Sequence, residues 1–82
     1  PYPDVYCHAL EQLALHPSET MAVEDSPTGV ASAKEAGLRV VGFLGATHIY
    51  DGHGDRLLEA GADMLATDAA ALRLIFEKMN VL

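Results

Sequence analysis

The sequence is poor in several residue types, and each shortage excludes a class of protein. Cys7 is the only cysteine, so no disulfide can form within the chain, which is typical of a reducing compartment. Five basic residues stand against twelve acidic ones, for a net charge of −7, and no basic patch for nucleic acid is visible. No apolar run approaches the roughly 18 residues of a membrane span. We therefore expect a cytoplasmic protein that binds neither nucleic acid nor a membrane.

The sequence has instead the composition of a globular chain. Half of its residues are hydrophobic, which is too large a share for a disordered segment. Its 82 residues suffice for one small domain or for part of a larger one. No repeat or low-complexity linker divides it, so we expect residues 1–82 to form one unit without an internal boundary. Because the chain begins at Pro1 and not at a methionine, we expect it to be a piece of a longer protein.

The apolar periodicity predicts alternating helices and strands. Three- and four-residue spacing predicts helices, and short apolar runs rich in β-branched residues predict buried strands. The predicted order is a helix over 4–15, a strand over 20–24, a helix over 27–36, a strand over 38–44, a helix over 55–60, a strand over 63–66 and a last helix capped by Thr67 or Asp68. Strands joined by helices pair in parallel with right-handed crossovers, so an α/β sheet of about three strands is expected. If the strands lie side by side in sequence order, the two crossover helices share one face, and the first helix could cover the other.

The most informative stretch joins the first strand to the second helix. The strand ends in two adjacent carboxylates, Glu24 and Asp25, which are followed by Ser26, a good N-cap, and by Pro27. In an open parallel sheet, ligands bind outside the carboxyl ends of the strands. Carboxylates at such a turn suit a hard divalent cation, which takes oxygen ligands. From the residues alone, a solvated strand end explains the pair equally well.

Several short motifs resemble one family in both sequence and order. They are Pro1-x-Pro3-Asp4 before a helix, Val23-Glu-Asp-Ser-Pro-Thr-Gly29, Ala33-x-x-Ala-Gly37, Val40-Val-Gly42 and Ala60-Gly-Ala-Asp63. The chain is similar to the C-terminal half of a haloacid dehalogenase (HAD) superfamily hydrolase, and more narrowly to the phosphoglycolate-phosphatase and beta-phosphoglucomutase-like members. The resemblance covers nearly the whole chain. It implies a partial doubly wound, Rossmann-like parallel sheet that lacks the N-terminal strands and the cap domain of the family.

The resemblance also implies an activity for the whole protein. Members of the family form a phospho-aspartyl intermediate on an aspartate of their first strand, with Mg²⁺ at the carboxyl edge of the sheet. Glu24 and Asp25 match the family's acidic pair that helps to hold Mg²⁺, and Asp25 is expected to be the direct ligand. The family's nucleophilic aspartate and lysine are expected upstream of Pro1. No catalytic residue is therefore expected in this chain, which should be inactive by itself.

The function implied for the whole protein is that of a Mg²⁺-dependent phosphatase. Its substrate would be a small phosphorylated metabolite, of the sugar-phosphate or phosphoglycolate type. Two alternatives stay open. One is a phosphomutase of the same superfamily, which differs mainly in the cap domain that controls access of water. The other is a non-catalytic α/β interaction module, and an exposed edge on strand 20–24 would favour self-association of the isolated chain.

A second set of polar residues resembles a metal cluster on paper. These residues lie in the longest candidate loop and just after it, and they are His48, Asp51, His53 and Asp55. Their spacing matches no established zinc pattern, and a polar loop with a helix-capping acid explains them as well. We therefore expect no metal on them.

Two further features are expected to serve packing. Cys7 has no obvious catalytic partner, so a buried packing thiol is predicted. The last helix carries an apolar stripe that is predicted to pack in the core. Its members are Leu72, Ile75, Phe76 and Met79.

Overall fold

The computed structural model describes residues 2–45 and 51–79, in which helices and strands alternate as predicted. The elements are α1 Asp4–Leu13, a 3₁₀ turn Pro17–Glu19, β1 Met21–Glu24, α2 Pro27–Glu35, β2 Arg39–Phe43, α3 His53–Glu59, β3 Met64–Ala66 and α4 Ala69–Met79. Most bounds differ from the prediction by one or two residues. Among the helices in these ranges, none has the length and apolarity needed to span a bilayer.

The three strands form one parallel sheet in the order β1-β2-β3. Glu24 at the end of β1 lies opposite Gly42 of β2, and Phe43 at the end of β2 lies opposite Ala66 of β3. Because all three strands run in the same direction, their carboxyl ends meet at one edge of the sheet. The predicted α/β class with a parallel sheet and flanking helices is therefore confirmed.

Local signals in the sequence account for the starts of three helices, α2, α3 and α4. Helix α2 begins where the Ser26 Oγ accepts a hydrogen bond from the Gly29 N–H at 3.0 Å, as an N-cap does. The end of α1 has no such signal, because it falls at Ala14, whose φ of 54° lies in the left-handed region that alanine rarely adopts. Helix α3 begins two residues earlier than predicted, because Gly52 has a φ of 78° that few other residues tolerate. Asp68 caps α4, as expected, by accepting a hydrogen bond from the Ala71 N–H at 2.8 Å.

The hydrophobic core lies on the face of the sheet that α2 and α3 cover. Its buried members are Leu10, Ala22, Val30, Ala33, Leu38, Val40, Leu57 and Ala62. Helices α2 and α3 contact each other, and each contributes to this cluster. The two crossover helices therefore share one face of the sheet, as the sequence predicted.

The expected position of α1 on the opposite face is wrong. Leu10 of α1 packs into the same core cluster, and α1 contacts α2. The reason is that only one narrow side of α1 finds apolar partners, with Leu10 buried and Tyr6 partly buried. Val5 and Leu13, two apolar residues of the same helix, remain 76% and 66% exposed.

Helix α3 approaches the sheet closely at Gly42 of the central strand. A Cβ built on Gly42 would lie 2.8 Å from Leu65 Cδ2 and 2.9 Å from Leu57 Cδ1, closer than carbon atoms pack. The absence of a side chain lets Leu57 lie directly on the backbone of β2, where it is fully buried. Gly42 and Leu57 therefore set how near α3 stands to the carboxyl edge of the sheet.

Asp63 ties α2 to the amino end of the sheet. Its carboxylate accepts hydrogen bonds from the Val40 N–H at 2.8 Å and from Lys34 Nζ at 3.0 and 3.1 Å. The backbone hydrogen bond from Val40 and, after it, the hydrogen bond and charge of Lys34 hold the pKa of Asp63 below its usual value, against partial desolvation. Both side chains are about a third exposed, so the ion pair contributes on the order of 1 kcal/mol or less. Lys34 therefore serves the fold at the edge opposite the acidic pair.

Two predicted contributions to the core are wrong. Phe76 and Met79 of α4 are 39% and 44% exposed, and Leu72 and Ile75 are only partly buried. The cause is that α4 contacts β3, an edge strand of the described sheet, which offers too little surface to cover the whole stripe. Cys7 is likewise exposed on α1 and not a buried packing thiol.

Candidate functional site

The carboxyl edge of the sheet carries the acidic pair that the sequence singled out. Glu24 is the last residue of β1 and pairs with Gly42 of the central strand. Asp25 follows it, outside the strand, and Ser26 then caps α2. Both carboxylates therefore stand at the turn between a parallel strand and the first turn of a helix, which is where sheets of this type bind ligands.

The side chain of Glu24 lies back against the first turn of α2. A Cβ built on Gly29 would overlap Glu24 Oε1 and would lie 2.7 Å from Glu24 Cδ. Gly29 thus leaves a hollow in the helix surface that the Glu24 carboxyl group occupies. Partial burial, and then the negative charge of the neighbouring Asp25, raise the pKa of Glu24 above its usual value. A cation at this turn would offset the repulsion that contributes to this shift.

Asp25 is held through its main chain by a residue from a distant part of the sequence. The Asp25 carbonyl oxygen accepts a hydrogen bond from the Nε2 of His53 at 2.6 Å. His53 is the first residue of α3, and the side chain of Asp25 itself is exposed. Sequence reasoning had set His53 aside with the loop residues. The signal that pointed to it was positional, because the connections that follow β1 and β2 meet at the same edge of a parallel sheet.

The other residues of the predicted loop cluster do not join the site. Asp51 and Asp55 are exposed, and Asp55 lies within the first turn of α3 and does not cap it, because the helix already begins at His53. His48 lies outside the described residues. Within residues 2–45 and 51–79, no three His, Cys, Asp or Glu side chains come together in a group that could hold a metal.

The chemistry of the acidic pair fits Mg²⁺ as part of a larger site. Mg²⁺ usually takes one or two carboxylates and completes its octahedron with water and substrate phosphate oxygens. Glu24 and Asp25 supply such carboxylates at an open edge of the sheet, and Asp25 is the exposed member of the pair. The described part of the chain offers these two carboxylates and no third His, Cys, Asp or Glu side chain that would join them in a metal site. Further ligands would have to come from elsewhere.

Comparison with known proteins places this arrangement in a family. The family model for haloacid dehalogenase-like hydrolases matches residues 1–43, or 43 of the 82 residues, which include the acidic turn and β2. The chain belongs to the haloacid dehalogenase-like hydrolases. This finding confirms the resemblance stated from the sequence motifs.

Individual members of the haloacid dehalogenase-like family show the same relationship. The phosphorylated carbohydrates phosphatase of Thermotoga maritima is 36% identical over 77 residues, which are 94% of this chain and 34% of that protein. A haloacid dehalogenase-like protein of unknown function from Agrobacterium tumefaciens superposes with a TM-score of 0.91 at 38% identity, over 99% of this chain and 36% of that one. A HAD family hydrolase from Deinococcus radiodurans, with bound phosphate and sodium, has a TM-score of 0.88 at 33% identity, over 100% of this chain and 36% of that one. The chain therefore spans about a third of the length of these three relatives.

Proposed function

We propose that this chain is the C-terminal part of the core domain of a Mg²⁺-dependent HAD-like phosphatase. The substrates would be small phosphate esters of the sugar-phosphate or phosphoglycolate type. The observation that carries this proposal is the pair Glu24 and Asp25 at the carboxyl edge of a parallel sheet, in a chain of this family. Two relatives support it, since one is named a phosphatase of phosphorylated carbohydrates and another holds phosphate.

The acidic pair would hold the metal, with Asp25 as the direct ligand and Glu24 beside it. Mg²⁺ bound there would offset the charge repulsion between an anionic nucleophile and the phosphoryl group. The aspartate that forms the phospho-aspartyl intermediate, and the lysine that accompanies it, would be supplied by the rest of the protein. For that reason we propose that residues 1–82 alone do not hydrolyse phosphate esters.

The test is an assay of phosphate release by the full-length protein. We expect hydrolysis of p-nitrophenyl phosphate and of a panel of sugar phosphates with Mg²⁺, and no hydrolysis with EDTA or by residues 1–82 alone. A phosphomutase would pass the phosphoryl group to a sugar hydroxyl, so phosphate release into water separates the two activities. Hydrolysis that persists undiminished in EDTA would contradict the metal assignment.

The hollow at Gly29 gives a prediction about Glu24. In Gly29→Ala, the new Cβ would displace the flexible end of Glu24. The helix itself would not suffer, because alanine suits a helix better than glycine by about 0.5–1 kcal/mol. We therefore expect the full-length protein to keep its stability while its Mg²⁺ dissociation constant rises about tenfold. Isothermal titration calorimetry and a thermal melt measure the two quantities. Thr28→Ala, at the exposed neighbouring position, is the control, and an unchanged Mg²⁺ affinity in Gly29→Ala would refute this role of the hollow.

The unpaired side of β1 in the described sheet gives a prediction about self-association. Among the described residues, β1 pairs with β2 on one side only, and Val23 on it is 37% exposed. An unpaired strand edge is a template for pairing with another chain. We therefore propose that isolated residues 1–82 self-associate, as measured by sedimentation velocity at micromolar concentration, and that the full-length protein under the same conditions does so less. A monodisperse monomer of residues 1–82 with a cooperative melt would contradict this proposal.

The cytoplasm remains our proposal for the cellular location. It is supported by Cys7, a single exposed thiol that a reducing compartment would keep free.

A further inference from the structure

His53 makes a contact with the acidic turn that the function proposed above does not use. Its Nε2 lies 2.6 Å from the carbonyl oxygen of Asp25, a residue 28 positions earlier in the chain. A carbonyl oxygen can only accept a hydrogen bond, so the Nε2 of His53 must carry the hydrogen. The ring of His53 therefore acts as a hydrogen-bond donor to Asp25.

The contact falls at the one point of the acidic turn that the secondary structure leaves unsupported. Glu24 is held on one side by its pairing with Gly42 in the sheet. Ser26 is held on the other side, because its Oγ caps α2 and its carbonyl accepts from the N–H of Val30 at 3.0 Å. Asp25 belongs to neither element, and its carbonyl is the group that His53 binds.

The position of His53 is itself well supported. It begins α3 directly after Gly52, whose left-handed conformation turns the chain into the helix. Helix α3 is in turn fastened to the sheet by Leu57, which is fully buried against Gly42. The ring of His53 therefore links Asp25 to a helix that the core holds in place, across the carboxyl end of the central strand.

We propose that His53 is a positioning residue for Asp25. By holding the carbonyl of Asp25, it limits rotation of the peptide between Asp25 and Ser26 and so keeps the carboxylate of Asp25 oriented for the metal. Residues that orient metal ligands through hydrogen bonds commonly change metal affinity by about 10- to 100-fold when they are replaced. This inference rests on the proposed function, since it assumes that Asp25 binds Mg²⁺.

The test measures Mg²⁺ binding to the full-length protein without substrate, by isothermal titration calorimetry. His53→Leu removes the donor and is expected to raise the Mg²⁺ dissociation constant about tenfold. His53→Gln places an N–H near the position of Nε2, and it is expected to recover most of the affinity. The matched control is His8→Leu, the same replacement at an exposed position of α1, and it should leave the affinity unchanged.

The outcomes separate this inference from the proposed function. If Asp25→Asn weakens Mg²⁺ binding while His53→Leu does not, His53 is only a structural tie and the positioning role is overturned. If Asp25→Asn leaves Mg²⁺ binding unchanged, the metal assignment fails, and the inference fails with it. Urea unfolding of each variant shows whether the protein is folded during the titration. If His53→Leu does not fold, His53→Asn takes its place as the variant without the hydrogen bond, because asparagine is too short to reach the carbonyl. His53→Gln remains the variant that keeps the hydrogen bond.

Discussion

Asp25→Asn is expected to lower the Mg²⁺-dependent phosphatase activity of the full-length protein by about a hundredfold or more. Asparagine keeps the size and shape of the side chain and removes its negative charge, which is what a hard divalent cation binds most strongly. Asp25 is exposed at the carboxyl edge of the sheet, so the replacement leaves no buried group without a partner. The measurement is kcat/KM for p-nitrophenyl phosphate at increasing Mg²⁺ concentration. Glu24→Gln is expected to have a smaller effect, because we assign the direct contact to Asp25.

The control for Asp25→Asn should remove the same charge from the opposite end of the same strand. Glu19→Gln does so, since Glu19 is an exposed residue just before β1. The activity of Glu19→Gln is expected to match that of the unaltered protein. The melting temperatures of both variants should remain close to that of the unaltered protein. A kcat/KM for Asp25→Asn within threefold of the control would rule out Asp25 as the metal ligand.

Leu57→Ala is expected to produce the largest loss of stability in the chain, about 2–5 kcal/mol. Among the described residues, Leu57 is the largest of the fully buried side chains, and it packs against the backbone of β2 at Gly42. Truncation would leave a cavity between α3 and the sheet that rigid neighbours cannot fill. Proteins of this kind are stable by only about 5–15 kcal/mol in total. The shift is measured by urea unfolding of the full-length protein, followed by circular dichroism.

The adjacent residue provides a matched control for Leu57→Ala. Leu58 has the same side chain on the same helix and is 44% exposed, so Leu58→Ala is expected to change the stability by about 0.5 kcal/mol or less. Equal losses in the two variants would mean that α3 does not pack on β2 as described. Weaker packing of α3 on the sheet should also loosen the hydrogen bond from His53 to Asp25. The Mg²⁺ affinity is therefore expected to fall in Leu57→Ala and not in Leu58→Ala.

The helices and strands were predictable because their signals are local. Hydrophobic periodicity and short apolar runs depend on neighbours within one or two turns, and the cap at Ser26 is read from a single residue. The parallel sheet then follows from the alternation of strands and helices. The position of α1 was not predictable, because its periodicity shows a wide apolar face and does not show which part of it finds a partner. The same limit applies to α4, whose stripe is half exposed for lack of sheet beneath it.

The candidate site likewise has a part that was predictable from the sequence and a part that was not. Glu24 and Asp25 were found from the sequence, because two acids directly after a strand and before a helix cap mark the carboxyl edge of a sheet. The packing of the Glu24 side chain against Gly29 and the hydrogen bond from His53 to Asp25 were not predicted from the sequence. The first depends on the direction of one flexible side chain, and the second joins residues whose distance in sequence says nothing about their distance in space.

The sequence alone thus determined the order of the elements, the parallel sheet, the family and the acidic turn, since each of these is encoded in local patterns and motifs. Only the tertiary structure decided which faces are buried and how the turn is supported. The packing of Leu57 on Gly42 sets the place of α3, and the place of α3 brings His53 to the carbonyl of Asp25. Contacts of this kind arise from the close packing of whole elements, and no local pattern in the chain records them.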